Sequence, residues 1–182
     1  MIVFFGPAGA GKSVQGQILA ARMGWRWLSA GQLLRDTKDV DLLHTMHEGK
    51  MVPHDAITKI MGEAISKASD INQLILDGFP RQLDQAQWLV DSQPDHGRAV
   101  KLVVVLEVPR EELLKRLAIR GRADDTPDAI DERLNIYRQE MYPILNYVTE
   151  QKIPVVHIDG TGTVGQVHDR VVAELTHREI AW

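Results

Sequence analysis

The sequence predicts a doubly wound α/β fold on a five-stranded parallel sheet. Three observations carry that expectation. Short apolar runs recur along the chain, stretches of helical periodicity separate them, and turn-forming residues follow several of the runs. Near-continuous apolar strands are buried on both faces, and strands joined through helices pair in parallel by right-handed crossovers.

The elements follow in order. Ile2 to Phe5 reads as a strand running directly into glycines, and Lys12 to Met23 as a helix with Val14, Ile18, Leu19 and Met23 at helical spacing. Trp25 to Leu28 is a second short strand, with one face of its alternating tryptophans expected against the core. Helical stretches follow near Ala30 to Thr37, Val40 to Glu48 and His54 to Ser69. Gln73 to Leu76 is strand-like and ends at Asp77-Gly78, before a helix near Leu83 to Asp91. Lys101 to Glu107, rich in valine, is the plainest buried strand. Arg110 to Ile119 and Pro127 to Glu150 are helical, with Pro143 a kink or bend in the second. Pro154 to Ile158 is the last strand and Val164 to His177 the last helix. In such a sheet a ligand sits beyond the carboxyl ends of the strands.

A length of 182 residues suits one domain with a sizeable core. Hydrophobic residues at 44% and charged residues at 25% are ordinary for a soluble globular chain. A net charge of −4 gives no global attraction to nucleic acid or an anionic membrane, so any anion needs a local basic cluster. The absence of cysteine excludes disulfides, thiolate chemistry and Cys-based zinc, and fits a reducing compartment. The apolar run from Met1 to Phe5 is too short for a signal peptide or a membrane span. A cytoplasmic monomer is the expectation.

Gly6-Pro7-Ala8-Gly9-Ala10-Gly11-Lys12-Ser13 fits G-x-x-x-x-G-K-[ST], with a strand before it and a helix after it. Its glycines let successive N–H groups converge on an anion at a helix N-terminus. Lys12 would reach the β- and γ-phosphates of a nucleoside triphosphate, and Ser13 would offer its hydroxyl to Mg²⁺. This loop does not name the acceptor. Leu74-Ile75-Leu76-Asp77-Gly78-Phe79-Pro80-Arg81 adds to it: an apolar strand delivers Asp77, suited to Mg²⁺ or its waters, and a tight turn presents Arg81. A guanidinium fits a phosphate dianion bidentately, as lysine does not.

In these segments the chain resembles the adenylate kinase and UMP/CMP kinase family over nearly its whole length. Val14-Gln15 follows the loop where the family usually has Thr-Gln. Leu28-Ser29-Ala30-Gly31-Gln32-Leu33-Leu34-Arg35 and Met51-Val52-Pro53 resemble the monophosphate-cupping subdomain. Asp77 to Arg81 with Gln85 and Ala86, Arg120 to Asp125 with Arg133, Leu134 and Tyr137, and Asp159-Gly160-Thr161-Gly162 resemble further family segments in order. The resemblance implies a P-loop NTPase fold. Residues 29–60 would form a helical monophosphate-binding excursion and residues 120–127 a very short lid.

The resemblance also implies the site. ATP would lie on Gly6, Gly9, Ala10, Gly11, Lys12, Ser13 and Val14, with Arg116 against the adenine, Arg120 supporting the phosphates and Gly162 in the base-side loop. The acceptor would lie on Ser29, Ala30, Arg35, Gly78 and Arg81, with Gln85 reading its base. Arg122 and Arg133 would reach the phosphates in transit and also belong to the acceptor side. Lys12, Arg81, Arg122 and Arg133 would stabilise the transferring group, and no general base is nominated.

The resemblance implies Mg²⁺ as cofactor and ATP as co-substrate; long-lid relatives carry an insertion, often with zinc, that this chain lacks, so no zinc is expected. The resemblance favours AMP as acceptor on the strength of Gln85 and Ala86, whereas Ala30, where adenylate kinases usually carry threonine, favours a UMP/CMP or broad-specificity kinase. A nucleotide-binding regulatory module without turnover is a third possibility, opposed by the acceptor-side arginines. Gln32 is assigned to local capping or solvation, His44 and His47 to the surface, and Tyr137, Tyr142 and Tyr147 to packing.

Overall fold

The computed structural model describes residues 1–47, 52–92, 97–121 and 126–180. Five strands, β1 (Ile2–Phe5), β2 (Arg26–Ser29), β3 (Leu74–Asp77), β4 (Leu102–Glu107) and β5 (Val155–Asp159), form one sheet in the order β2-β3-β1-β4-β5. Every pairing is parallel. The helices are α1 (Lys12–Met23), α2 (Ala30–Asp36), α3 (Val40–His47), α4 (His54–Lys67), α5 (Leu83–Ser92), α6 (Arg110–Arg120), α7 (Pro127–Glu150) and α8 (Val164–His177).

The period-two pattern of the strands builds two cores, one on each face. Ile2, Phe4, Ile75, Leu102, Val104 and Leu106 face one, where α1, α6, the start of α7 and α8 cover them. Val3, Phe5, Leu74, Leu76, Val103 and Val105 face the other, under α2, α4, α5 and the second half of α7. Helix α7 serves both layers: Ile130 and Leu134 join the first core, and Met141, Ile144 and Val148 the second. It runs through Pro143, which is exposed.

The strand boundaries differ from the sequence reading by a residue or two. Trp25 precedes β2, and Trp27 turns its indole onto α1, where a Cβ on Gly16 would stand 2.7 Å from Trp27 Cδ1. Strand β3 keeps Asp77 inside the ladder, paired with Phe4 on one side and Ser29 on the other. Three helices, α2 to α4, lie between β2 and β3 in the chain. The strand order reverses at β1, since the chain moves outward through β2 and back across β1 to β4. A crevice opens at such a reversal, beyond the carboxyl ends of the strands. Among the described residues no helix is long and apolar enough to cross a membrane.

Candidate active site

The loop after β1 turns tightly, with Ala10 N–H donating to the Pro7 carbonyl at 3.1 Å. Gly11 caps α1 at φ 96°, a left-handed conformation that side-chain-bearing residues resist, and no side chain caps the helix there. The first N–H groups of α1 and its dipole therefore face the loop's concave side. Lys12 folds over the loop, its Nζ donating to the Gly6 carbonyl at 2.6 Å and the Pro7 carbonyl at 3.1 Å. Burial pushes Lys12 down to about 8; Asp77 opposes the fall, while Arg81 and Arg120 add to it.

Asp77 ends β3 almost fully buried, and Ser13 Oγ donates to its Oδ2 at 2.6 Å. A hydroxyl and a carboxylate are hard oxygen donors of the kind Mg²⁺ takes, so these two residues fit that ion. Arg81 follows the turn through Gly78 and the cis Phe79–Pro80 peptide. Desolvation in the crevice lowers the Arg81 pKa, Asp77 raises it, and Arg133 lowers it further. Lys12, Asp77, Arg81, Arg120 and Arg133 thus share one electrostatic environment, although they come from α1, β3, the β3–α5 turn, α6 and α7. Arg122 and residues 123–125, expected from the sequence to form most of a short lid, lie outside the described residues. Gly121, with φ 65°, terminates α6 before that segment.

On the β2 side, Ser29 caps α2, its Oγ accepting from Gln32 N at 3.3 Å. Ala30 is buried beside Gly78, 4.0 Å from where a Gly78 Cβ would stand. Arg35 is exposed and donates to Gln32 Oε1 at 3.0 Å, while Gln32 Nε2 donates to Asp36 at 2.8 Å. Gln85 is buried and committed within its own turn. Its Oε1 accepts from Arg81 N at 2.8 Å, and its Nε2 donates to Gln82 Oε1 at 3.1 Å.

At the opposite end, the Asp159–Thr163 loop packs against the phosphate loop. A Cβ on Gly160 would stand 2.6 Å from Val108 Cγ2 and 3.6 Å from the Ala10 carbonyl oxygen. Arg116 donates to Glu112 at 2.9 Å and to the Gly160 carbonyl at 2.9 Å. Arg170 donates to the carbonyls of Asp159 and Thr161, each at 2.7 Å. Gly162, φ 95°, precedes the Thr163–Gln166 capping box that starts α8. Val14 is exposed on the first turn of α1, and a Cβ added to Gly9 would meet Leu117 of α6.

Sequence reasoning assigned no role to Gln15, Arg170 or His168. Gln15 stood in a motif, but its partners are 149 and 153 residues away, and no spacing rule reaches so far.

A model of the adenylate kinase family matches residues 4–153. The adenylate kinase of Mycobacteroides abscessus is 37% identical over 175 residues, covering 93% of this chain and 95% of that protein. The adenylate kinase of Mycobacterium leprae is 36% identical over 180 residues, covering 96% and 98%. That of Thermus thermophilus is 35% identical over 184 residues, covering 96% of each chain. By the crevice and by these relatives, the chain belongs to the adenylate kinase family.

Proposed function

We propose that this chain is a phosphotransferase that moves the γ-phosphoryl group of ATP onto AMP, giving two ADP. What supports the reading is one electrostatic cluster: Asp77, a buried carboxylate, acts on Lys12 and Arg81, Arg120 acts on Lys12, and Arg133 acts on Arg81. Two polyanions repel, and phosphoryl transfer asks for positioning and positive charge more than for covalent help.

In this reading the loop N–H groups and Lys12 hold the β- and γ-phosphates. Arg35 and Arg81 hold the acceptor phosphate, within an excursion spanning residues 29–60. Arg133 and Arg120, with Arg122, neutralise the group in transit, and the lid of residues 120–127 excludes water. The acceptor oxygen is already anionic, so no side chain has to remove a proton. Ser13 and Asp77 would hold Mg²⁺, which when bound neutralises phosphate charge and orients the triphosphate. Gly160 and Gly162 line the base of ATP, with Arg116 beside it.

Ala30 favours a second, broader acceptor reading, because its buried methyl offers no hydroxyl to a base. Initial rates with AMP, CMP, UMP and GMP at fixed ATP and Mg²⁺ decide between the two. AMP is expected to exceed the others by at least tenfold in kcat/KM. CMP or UMP ahead of AMP would replace the acceptor assignment, and ADP formation indifferent to any acceptor would remove the kinase reading.

A further inference from the structure

His168 is a constrained titratable group that phosphoryl transfer leaves unused. It lies on α8, 7% exposed, and both of its ring nitrogens meet α1. Arg22 Nη1 lies 3.3 Å from Nε2, and Gln15 Oε1 lies 3.2 Å from Nδ1. A guanidinium only donates, so Nε2 presents its lone pair. The one proton of the neutral ring then sits on Nδ1 and is donated to Gln15. The other end of the Gln15 amide is fixed as well, its Nε2 donating to the Val164 carbonyl at 2.9 Å. Three hydrogen bonds therefore run in one direction, from Arg22 through His168 and Gln15 to Val164.

The relay begins on the helix whose first turn carries Lys12 and Ser13. It ends on the first residue of α8, directly after the Asp159–Thr163 loop. Arg116 of α6 and Arg170 of α8 hold other carbonyls of that loop. The Gln15 bond ties its far end to the phosphate-loop helix.

We propose that neutral His168 is a positioning residue for ATP: by holding Gln15 on the Val164 carbonyl, it fixes the base-side loop relative to the phosphate loop. The proposal rests on the kinase reading for the identity of that loop. His168 touches neither substrate and acts through Gln15. Protonating the ring would turn Nε2 into a donor facing a donor and set two cations 3.3 Å apart. The charges acting on the ring are Arg22 of α1 and Asp169 of α8 itself. On β5, which also packs against α8, Asp159 is engaged by Thr161 and Arg170, and His157 by Glu107 of β4. Burial and Arg22 lower the His168 pKa from its ordinary value, with Asp169 opposing, which keeps the ring neutral at pH 7.5.

The test compares wild type, His168→Phe and His168→Asn in steady state between pH 5.5 and 8. Phe keeps the ring and removes both nitrogens. It should raise the KM for ATP about threefold to tenfold at pH 7.5, leaving kcat and the KM for AMP within about twofold. Asn supplies an amide donor near the Nδ1 position and should recover most of the ATP KM without titrating. The ratio of wild-type to His168→Asn ATP KM should rise only towards the acid end of that range, below the ordinary histidine value of about 6.5, because His168 is harder to protonate than a free imidazole. That ratio cancels the ionisation of the nucleotide phosphates. An unchanged ATP KM in His168→Phe, equal rises for ATP and AMP, or a flat ratio overturns the proposal. If His168→Phe does not fold, the His168→Asn ratio decides alone. Absence of AMP-dependent turnover in wild type would remove the kinase reading instead, and calorimetric ATP affinities of the same proteins at pH 5.5 and 7.5 would still decide the role of His168.

Discussion

Replacing Lys12 by Met should destroy turnover and stabilise the nucleotide-free protein. Lys12 is half-buried with Arg81 and Arg120 acting on it, and its pKa falls from 10.5 to about 8. At about 1.36 kcal/mol per pH unit, that fall corresponds to about 3 kcal/mol of unfavourable charge burial at neutral pH. Partial exposure screens roughly half of it. The hydrogen bonds to Gly6 and Pro7 are part of the folded environment that the lowered pKa already reflects. Methionine keeps the aliphatic stem, so Lys12→Met is expected to gain about 1–2 kcal/mol and raise Tm by about 2–6 °C. The sign with pH follows from the lowered pKa. Below about 8 the lysine is charged in both states and the penalty is complete. Between about 8 and 10.5 the folded lysine loses its proton before the unfolded one, so wild type gains on the variant. Differential scanning calorimetry without nucleotide, at pH 7 and pH 10.5, reads both effects. Saturating ATP should reverse the order, because only wild type keeps the ammonium contact to phosphate. A Tm for Lys12→Met below wild type at pH 7, or a gain as large at pH 10.5, would refute the reasoning.

Other perturbations separate the parts of the site. Asp77→Asn removes the carboxylate that accepts from Ser13 and faces Lys12 and Arg81; the Mg²⁺ concentration giving half-maximal rate should rise at least about tenfold, and an unchanged Mg²⁺ dependence excludes Asp77 as a ligand. Arg81→Ala should lower kcat/KM for AMP about 10²- to 10³-fold with an unchanged circular dichroism spectrum, and wild-type kinetics would take Arg81 out of the site. Gly160→Ala forces a methyl to within 2.6 Å of Val108 Cγ2 and 3.2 Å of the Glu107 carbonyl oxygen. It should cost about 1–3 kcal/mol and lower Tm by about 3–10 °C, so an unchanged thermogram would show that the loop has room.

The sheet was legible because its signal is local and redundant. Each strand carries its own apolar run, and the glycine-rich turn after β1 states the topology a second time. The one-residue offsets at β2 and β3 arise where pairing, not hydropathy, sets the end. Asp77 is polar, yet its backbone continues the ladder to Phe4 and Ser29. Cationic residues of the site were legible as residue types at motif positions, but their present partners were not. Arg116 meets the Gly160 carbonyl, Arg35 meets Gln32, and the Gln85 carboxamide meets Arg81 N and Gln82. Those contacts depend on rotamers and on neighbours that no pattern in a single sequence encodes. His168 shows the limit most clearly. A histidine inside a helix has no distinguishing spacing, and its meaning comes from Gln15 and Arg22 across a packed interface.

The register of Asp77 also explains how a crevice with so much positive charge stays assembled. Four cationic side chains surround it, and their mutual repulsion would spread any flexible support. Asp77 is 3% exposed and sits on a central strand bonded on both sides, so its carboxylate cannot follow the cations outward. Ser13 fixes one of its oxygens from the phosphate-loop side. One buried anion thereby offsets part of the repulsion at the point where α1, β3 and the β3–α5 turn meet. Under the proposed reading, phosphate entering the crevice adds negative charge beside Lys12 and Arg81, and the repulsion relieved there contributes to nucleotide binding.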